Sequence, residues 1–226
     1  MSIISLVPSA TETMVALGVH PIACTRFCDL PGVQTVGGTK NPEIGAIVAL
    51  RPDLVVVNDE ENRIEDARAL EDAGCRLHSM SPRRVEDVPA AVDALADALG
   101  VEPQNLVVSA PLPHSGRAFV ATWRRPYMTL NDDTYGASVL AWCGYENVFG
   151  DEGERYPEVT LAEVAARNPD LVLLPDEPYP FSERHVPEMQ DATPGARVAV
   201  VDGRDLFWWG IRTPDAIERL QARFSR

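Results

Sequence analysis

One stretch of the chain occurs twice, and the repetition limits what the whole can fold into. The first copy runs from Ile44 to Glu60 and the second from Leu161 to Glu177. Superposing Pro52 on Pro169 sets the offset at 117 residues, and seven of the seventeen positions are then identical. They are Ala49/Ala166, Pro52/Pro169, Asp53/Asp170, Leu54/Leu171, Val55/Val172, Asp59/Asp176 and Glu60/Glu177. Chance would give about one at ordinary residue frequencies.

Each copy has the same local physics. Ile44, Ile47 and Val48, and again Leu161, Val164 and Ala165, follow the i, i+3, i+4 spacing of one helical face. Proline then stops the helix, because it cannot donate a hydrogen bond and restricts the residue before it. Leu54–Val57 and Leu171–Leu174 are unbroken apolar runs, as expected of strands buried on both faces of a parallel sheet. Asp59-Glu60 and Asp176-Glu177 stand where those strands end, the side on which open α/β sheets bind ligands. Two similar α/β lobes account for an offset near half the chain. One larger α/β domain with a recurring αβ unit is the alternative.

Strands are expected at Ile3–Val7, Arg76–Met80, Ala118–Thr122 and Arg197–Val201. Ser9 and Glu12 have capping-box spacing ahead of a helix that Gly18 ends. Val85, Val88, Val92, Leu95 and Leu99 form a helical stripe. The proline-punctuated segment Val101–Gly116 marks the junction between the halves. The boundaries that follow are 1–83 for an N-terminal lobe, 84–116 for a bridging helix and junction, and 117–226 for a C-terminal lobe.

The formal charge is −14, which argues against nucleic acid and anionic membrane as partners. Met1-Ser2 leads straight into Ile3–Val7 with no basic or long apolar leader, so the expected location is cytoplasmic. No apolar run is long enough to insert in a membrane. Cys24, Cys28, Cys75 and Cys143 form no C-x-x-C motif, and reduced thiols are expected in that compartment. Cys24 and Cys28 with Asp29 offer part of a metal site, but too few ligands to complete one, and the four histidines are dispersed. No metal bound directly by side chains is therefore expected. No phosphate loop, nucleophile elbow or zincin motif occurs, so no catalytic residue is assigned.

Aromatic residues make up only 7% of the chain, yet they gather in loops and at expected strand ends: Trp123, Tyr127, Tyr156, Tyr179, Phe181, Phe207, Trp208 and Trp209. That placement suits a large flat ligand. Core packing is the other reading. Arg124 and Arg125 could grip a phosphate or carboxylate, or could pair with internal acids.

Several stretches resemble one family. They are Ile4–Glu12, Cys28-Asp29-Leu30-Pro31, Gly37–Pro42, the helix-Arg-Pro-Asp-Leu-Val unit, Asn147-Val148-Phe149 and Tyr156–Val159. In that order they are similar to the helical-backbone, or class III, substrate-binding proteins. The nearest type is the vitamin B12-binding protein of ABC transporters, with relatives that bind siderophores or haem. The resemblance spans nearly the whole chain. It implies two Rossmann-like α/β lobes with parallel sheets, joined by a single bridging helix, with a metal chelate in the cleft. Carried over by position, the ligand-facing residues would be Phe27, Cys28, Asp29, Thr39, Lys40, Asn41, Asn58, Asp59 and Glu60 in the first lobe. In the second they would be Trp123, Arg124, Arg125, Tyr156, Tyr179 and Trp208. The expected function is non-catalytic binding of a corrinoid (cobalamin-like) or another metal-tetrapyrrole or metal chelate. An ABC transporter or a corrinoid-handling protein would be the partner. An enzyme acting on a small ligand in the same cleft, or a ligand-free interaction module, are the alternatives.

Overall fold

The computed structural model of the chain describes residues 1–224. It divides into two compact units. The first comprises Met1–Pro82, Glu86–Val107 and Trp209–Arg212; the second comprises Arg83–Val85, Val108–Trp208 and the chain from Thr213 onward.

The first unit runs β1 (Ile3–Ser5), α1 (Pro8–Ala16), β2 (Ala23–Cys24), β3 (Gln34–Thr35), β4 (Gly37–Gly38), β5 (Asn41–Pro42), α2 (Ile44–Ala49), β6 (Leu54–Val57), α3 (Ile64–Asp72), β7 (Leu77–Ser79) and α4 (Val88–Leu99). Its main sheet has the order β3-β2-β1-β6-β7, and every pair in it is parallel. β4 and β5 form a small antiparallel pair. All four residues of β6 are buried, as an apolar run covered on both faces must be. Ile4, Leu6, Val55 and Val57 pack with Ile47 of α2 and Leu70 of α3.

The second unit runs β8 (Gly116–Val120), β9 (Tyr127–Met128), α5 (Tyr135–Trp142), β10 (Tyr145–Asn147), β11 (Glu158–Val159), α6 (Leu161–Arg167), β12 (Leu171–Pro175), α7 (Val186–Ala192), β13 (Arg197–Val201), α8 (Gly203–Phe207) and α9 (Thr213–Phe224). Its sheet, β10-β8-β12-β13, is again wholly parallel. Phe119, Val172 and Leu174 pack with Phe149, Val164 and Met189. Leu54–Val57 and Leu171–Pro175 thus lie in different sheets.

The repeat is structural in detail. After α2 and after α6, Arg51 and Asn168 both turn into the left-handed region, with φ of 47° and 48°. One left-handed residue ends each helix and lets the following proline start the path into the strand. Asn tolerates this conformation; Arg does so less readily. The repeated aspartates then lock the neighbouring strand. Asp53 exchanges bonds with Ser2 just before β1: its carboxylate accepts from Ser2 N at 2.6 Å and its own N–H donates to Ser2 O at 2.8 Å. Asp170 does the same with Arg117 of β8, at 2.8 Å in both directions.

The capping box expected at Ser9 and Glu12 does not form. Pro8 occupies the first turn of α1, where its missing N–H costs nothing, and Val7 is the cap without a side-chain bond. Ser9 is therefore inside the helix, and Glu12 instead pairs with Arg212 at 2.7 Å. Arg212 follows Gly210, whose φ is 113° and whose added Cβ would lie 2.1 Å from Thr13 Oγ1. Only glycine lets Trp209–Arg212 lie this close to α1. The Val101–Ser115 segment contains neither helix nor strand.

Candidate functional site

The carboxyl end of the first sheet gathers three of the expected loops. Asn62 ties two of them: its side-chain amide donates to Thr39 O at 2.9 Å, and to Leu6 O after β1 at 3.3 Å. Its Oδ1 accepts from Asn58 N at 2.8 Å. Asn58, after β6, is itself buried. It donates to Met80 O and accepts from the N–H groups of Glu60 and Glu61 at 2.7 and 3.1 Å. Asn58 is thus a brace that shapes its loop. Lys40 spans to the carbonyl of Glu60. Asp59, Lys40 and Asn41 are exposed, and Thr39 and Glu60 are half-buried.

After β2 the chain turns sharply, with Cys28 N donating to Thr25 O at 3.1 Å. Phe27 projects with 53% of its surface exposed and Arg26 over its ring, while Asp29 is exposed beyond it. Cys28 points the other way. It is buried, with the hydroxyls of Thr11 and Thr25 at 3.1 and 3.3 Å from its sulfur.

The carboxyl end of the second sheet carries an aromatic shelf. Trp123, just beyond β8, packs edge-on against Tyr179, just beyond β12, with ring centroids 5.4 Å apart. Tyr179 rests on Phe181 at 4.7 Å and on His185 at 5.8 Å. Such pairs contribute about 1 kcal/mol each beyond the area they bury. Both His185 nitrogens are engaged: Ser182 N donates to Nδ1 at 3.0 Å, and Arg184 Nε meets Nε2 at 3.3 Å. Burial and the charge of Arg184 push this imidazole below its ordinary range.

The two adjacent arginines divide their work. Arg124 donates to Glu188 of α7 through Nε at 3.0 Å and Nη2 at 2.7 Å. Tyr127 OH completes the cluster by donating to Glu188 at 3.0 Å. Hydrogen bonds to Tyr127 and Glu188 keep the guanidinium charged well above its ordinary range. Burial pushes the Glu188 carboxyl up, but the bonds from Arg124 and Tyr127 outweigh it, and the group sits below the usual carboxylate range. Arg125 is exposed, has a φ of 69°, and makes no hydrogen bond or ion pair among the described residues. The backbone turn separates the two side chains, and Arg125 acts on Glu188 through its charge alone.

Trp208, after α8, is flanked by Arg204 at 4.8 Å from its ring, and its indole N–H donates to Glu177. Burial pushes the Glu177 carboxyl up, against the opposing effects of that bond and of Arg204. Gly203 backs directly onto Glu177, and an added Cβ would lie 2.5 Å from its Cγ. Tyr156 is 39% exposed with Arg155 beside it, and it is not among the rings of the shelf. Sequence reasoning missed Glu188, Asn62 and His185. Glu188 lies 64 residues from its partner Arg124, and nothing in either local pattern announces the pairing.

No family model matches the chain. It is 25% identical over 190 residues to the vitamin B12-binding protein of Salmonella choleraesuis, covering 76% of this chain and 71% of that one. Its fold matches the periplasmic vitamin B12-binding protein of Vibrio cholerae with a TM-score of 0.79, at 21% identity, over 98% of this chain and 95% of that one. It matches the periplasmic haem-binding protein of Vibrio cholerae with a TM-score of 0.78, at 18% identity, over 100% and 99%. Its fold is the two-lobe α/β fold of the periplasmic binding proteins it matches. The expectation of a cytoplasmic location is overturned by these comparisons, because the matched solved proteins are periplasmic, which points to export. The amino-terminal composition was a poor guide to compartment. No helix among the described residues is long and apolar enough to cross a membrane.

Proposed function

We propose that this chain is a substrate-binding protein that holds a corrinoid, or a metal chelate of similar size, and releases it chemically unchanged. The observation that carries the reading is the shelf after β8 and β12. There an exposed Trp123 is supported from behind by Tyr179, with the unpaired Arg125 two residues along. Supported rings offer a rigid apolar face at little entropic cost, and an unpaired guanidinium beside them suits a phosphate or carboxylate at the ligand's edge. Trp208, Tyr156 and Phe27 are further aromatic contacts in this reading. Asp29, Thr39, Lys40, Asn41, Asp59 and Glu60 supply polar ones. Arg124 acts through Glu188 as the support of its own loop. Vitamin B12 and haem are what the similar proteins bind, and delivery to an ABC transporter is the role we assign by likeness to an ABC transporter substrate-binding protein of Listeria monocytogenes.

The test is the visible spectrum of the protein purified from its native host, then after incubation with cobalamin and with haem. Bound corrinoid or haem bands are the expected result. A protein that is colourless as isolated and takes up neither chelate contradicts the reading.

A further inference from the structure

We propose that Cys24 and Cys28 are a disulfide-forming pair whose oxidation fastens the loop bearing Phe27 to the end of β2. The inference stands apart from the identity of any ligand. Its geometry comes from the sheet. Cys24 is paired directly with Ser5 of β1 in a parallel register, and laterally paired residues of neighbouring strands project to the same face. The Ser5 hydroxyl is 2.8 Å from Thr11 Oγ1, and Thr11 Oγ1 is 3.1 Å from Cys28 Sγ. Cys28 therefore lies over the face onto which Cys24 projects. The turn closed by Cys28 N on Thr25 O folds the chain back to bring it there. The Cys24 thiol senses both its burial and its neighbour: burial first, then Cys28, push it up to about 12.

No side chain of the proposed ligand site needs either sulfur. Both cysteines are largely buried, at 2% and 8% exposure, so they are not presented to a ligand. With export indicated, the ground for expecting permanently reduced thiols is gone, since disulfides persist in oxidising compartments. The reaction needs a disulfide-bearing oxidant. The Cys28 thiol gives up its proton as its sulfur attacks one oxidant sulfur, and the other sulfur leaves and takes up that proton as a thiol, leaving a mixed disulfide. Cys24, giving up its proton, attacks Cys28 Sγ and expels the second thiol. Two protein thiols and one external disulfide thus become one protein disulfide and two external thiols.

The sequence provides a direct test. Arg26 lies between the two cysteines, so trypsin separates Met1–Arg26, with Cys24, from Phe27–Lys40, with Cys28. The whole protein is equilibrated with oxidised glutathione, remaining thiols are blocked, and the tryptic peptides are weighed with and without reductant. The expected result is one species containing both peptides, lighter by two hydrogens than their sum, that reductant splits. The same treatment of Cys28→Ser should give no such species. The proposal is overturned if the two peptides appear separately from oxidised wild-type protein, whether blocked or glutathionylated, or if the bridge involves Cys75 or Cys143. The wild-type peptide map decides the matter even where the variant fails to fold.

Discussion

The division of labour between Arg124 and Arg125 makes a quantitative prediction. Arg124, Glu188 and Tyr127 form one cluster in which the carboxylate accepts from two guanidinium N–H groups and one phenol. The Arg124 side chain is 16% exposed and Glu188 39%. The pair thus falls between exposed ion pairs, worth roughly 0.2–1 kcal/mol, and buried charge-assisted bonds, worth roughly 1.5–3 kcal/mol. Discounted for solvent screening at the exposed carboxylate, the coupling should be about 1 kcal/mol. Arg124→Ala, Glu188→Ala and the double variant form a cycle read by thermal and urea unfolding. Each single change should destabilise the protein, and the double change should cost about 1 kcal/mol less than their sum. For a unit of this size that is a Tm difference of about 4 °C. Acid should weaken the cluster: the folded carboxyl sits below its ordinary 4.5, so its stabilisation is full above that value and is lost as pH falls through the folded value. Arg125→Ala should leave stability within about 0.5 kcal/mol of wild type, as an exposed, unpaired side chain should. Additive single-variant effects, or a loss of stability in Arg125→Ala matching that in Arg124→Ala, would refute the reasoning.

Three further outcomes are expected. Asp170→Ala removes the acceptor for Arg117 N and should cost about 1–2 kcal/mol by urea denaturation. Gly210→Ala forces a Cβ against Thr13 at a φ of 113° and should cost about 3 kcal/mol by the same assay; a neutral result would mean the Trp209–Arg212 segment is not held against α1. His78 has a buried Nε2 without a partner, and burial, then Arg76, hold its imidazole below the ordinary 6.5. The unfolded chain then binds the extra proton, so stability should fall as pH drops below about 6.5, and His78→Gln should flatten that part of the profile.

What was legible in the sequence was what periodicity and repetition encode. The αβ unit, its proline stop and its buried strand follow from side-chain spacing within seventeen residues; the left-handed turns at Arg51 and Asn168 are what the structure adds to them. The loop-borne aromatics were only partly legible: Phe181 and Trp209, expected with the others to suit a flat ligand, are buried in the core, while Trp123 and Tyr156 stay exposed. Contacts between distant segments were not. The capping box at Ser9 failed because Pro8 starts the helix earlier, and Glu12 found Arg212 across 200 residues. Cys28 and Asn58 were expected to face a ligand, but both are buried, because a loop's neighbours, not its composition, decide which residues turn inward. The partnership of Arg124 with Glu188 has the same origin: α7 is brought to the β8 loop by the sheet.

The central claim is that these aromatic strand-end loops bind a metal chelate. Titration calorimetry with cobalamin, cobinamide and haem tests it most directly, on wild-type protein and on Trp208→Ala. At least one chelate should bind wild-type protein with a Kd well below ~100 µM, which corresponds to a binding free energy beyond about −5.5 kcal/mol. Removing an aromatic ring that packs on the ligand costs about 2 kcal/mol, so Trp208→Ala should weaken that binding roughly thirtyfold. No heat with any of the three at ~100 µM wild-type protein would contradict the account.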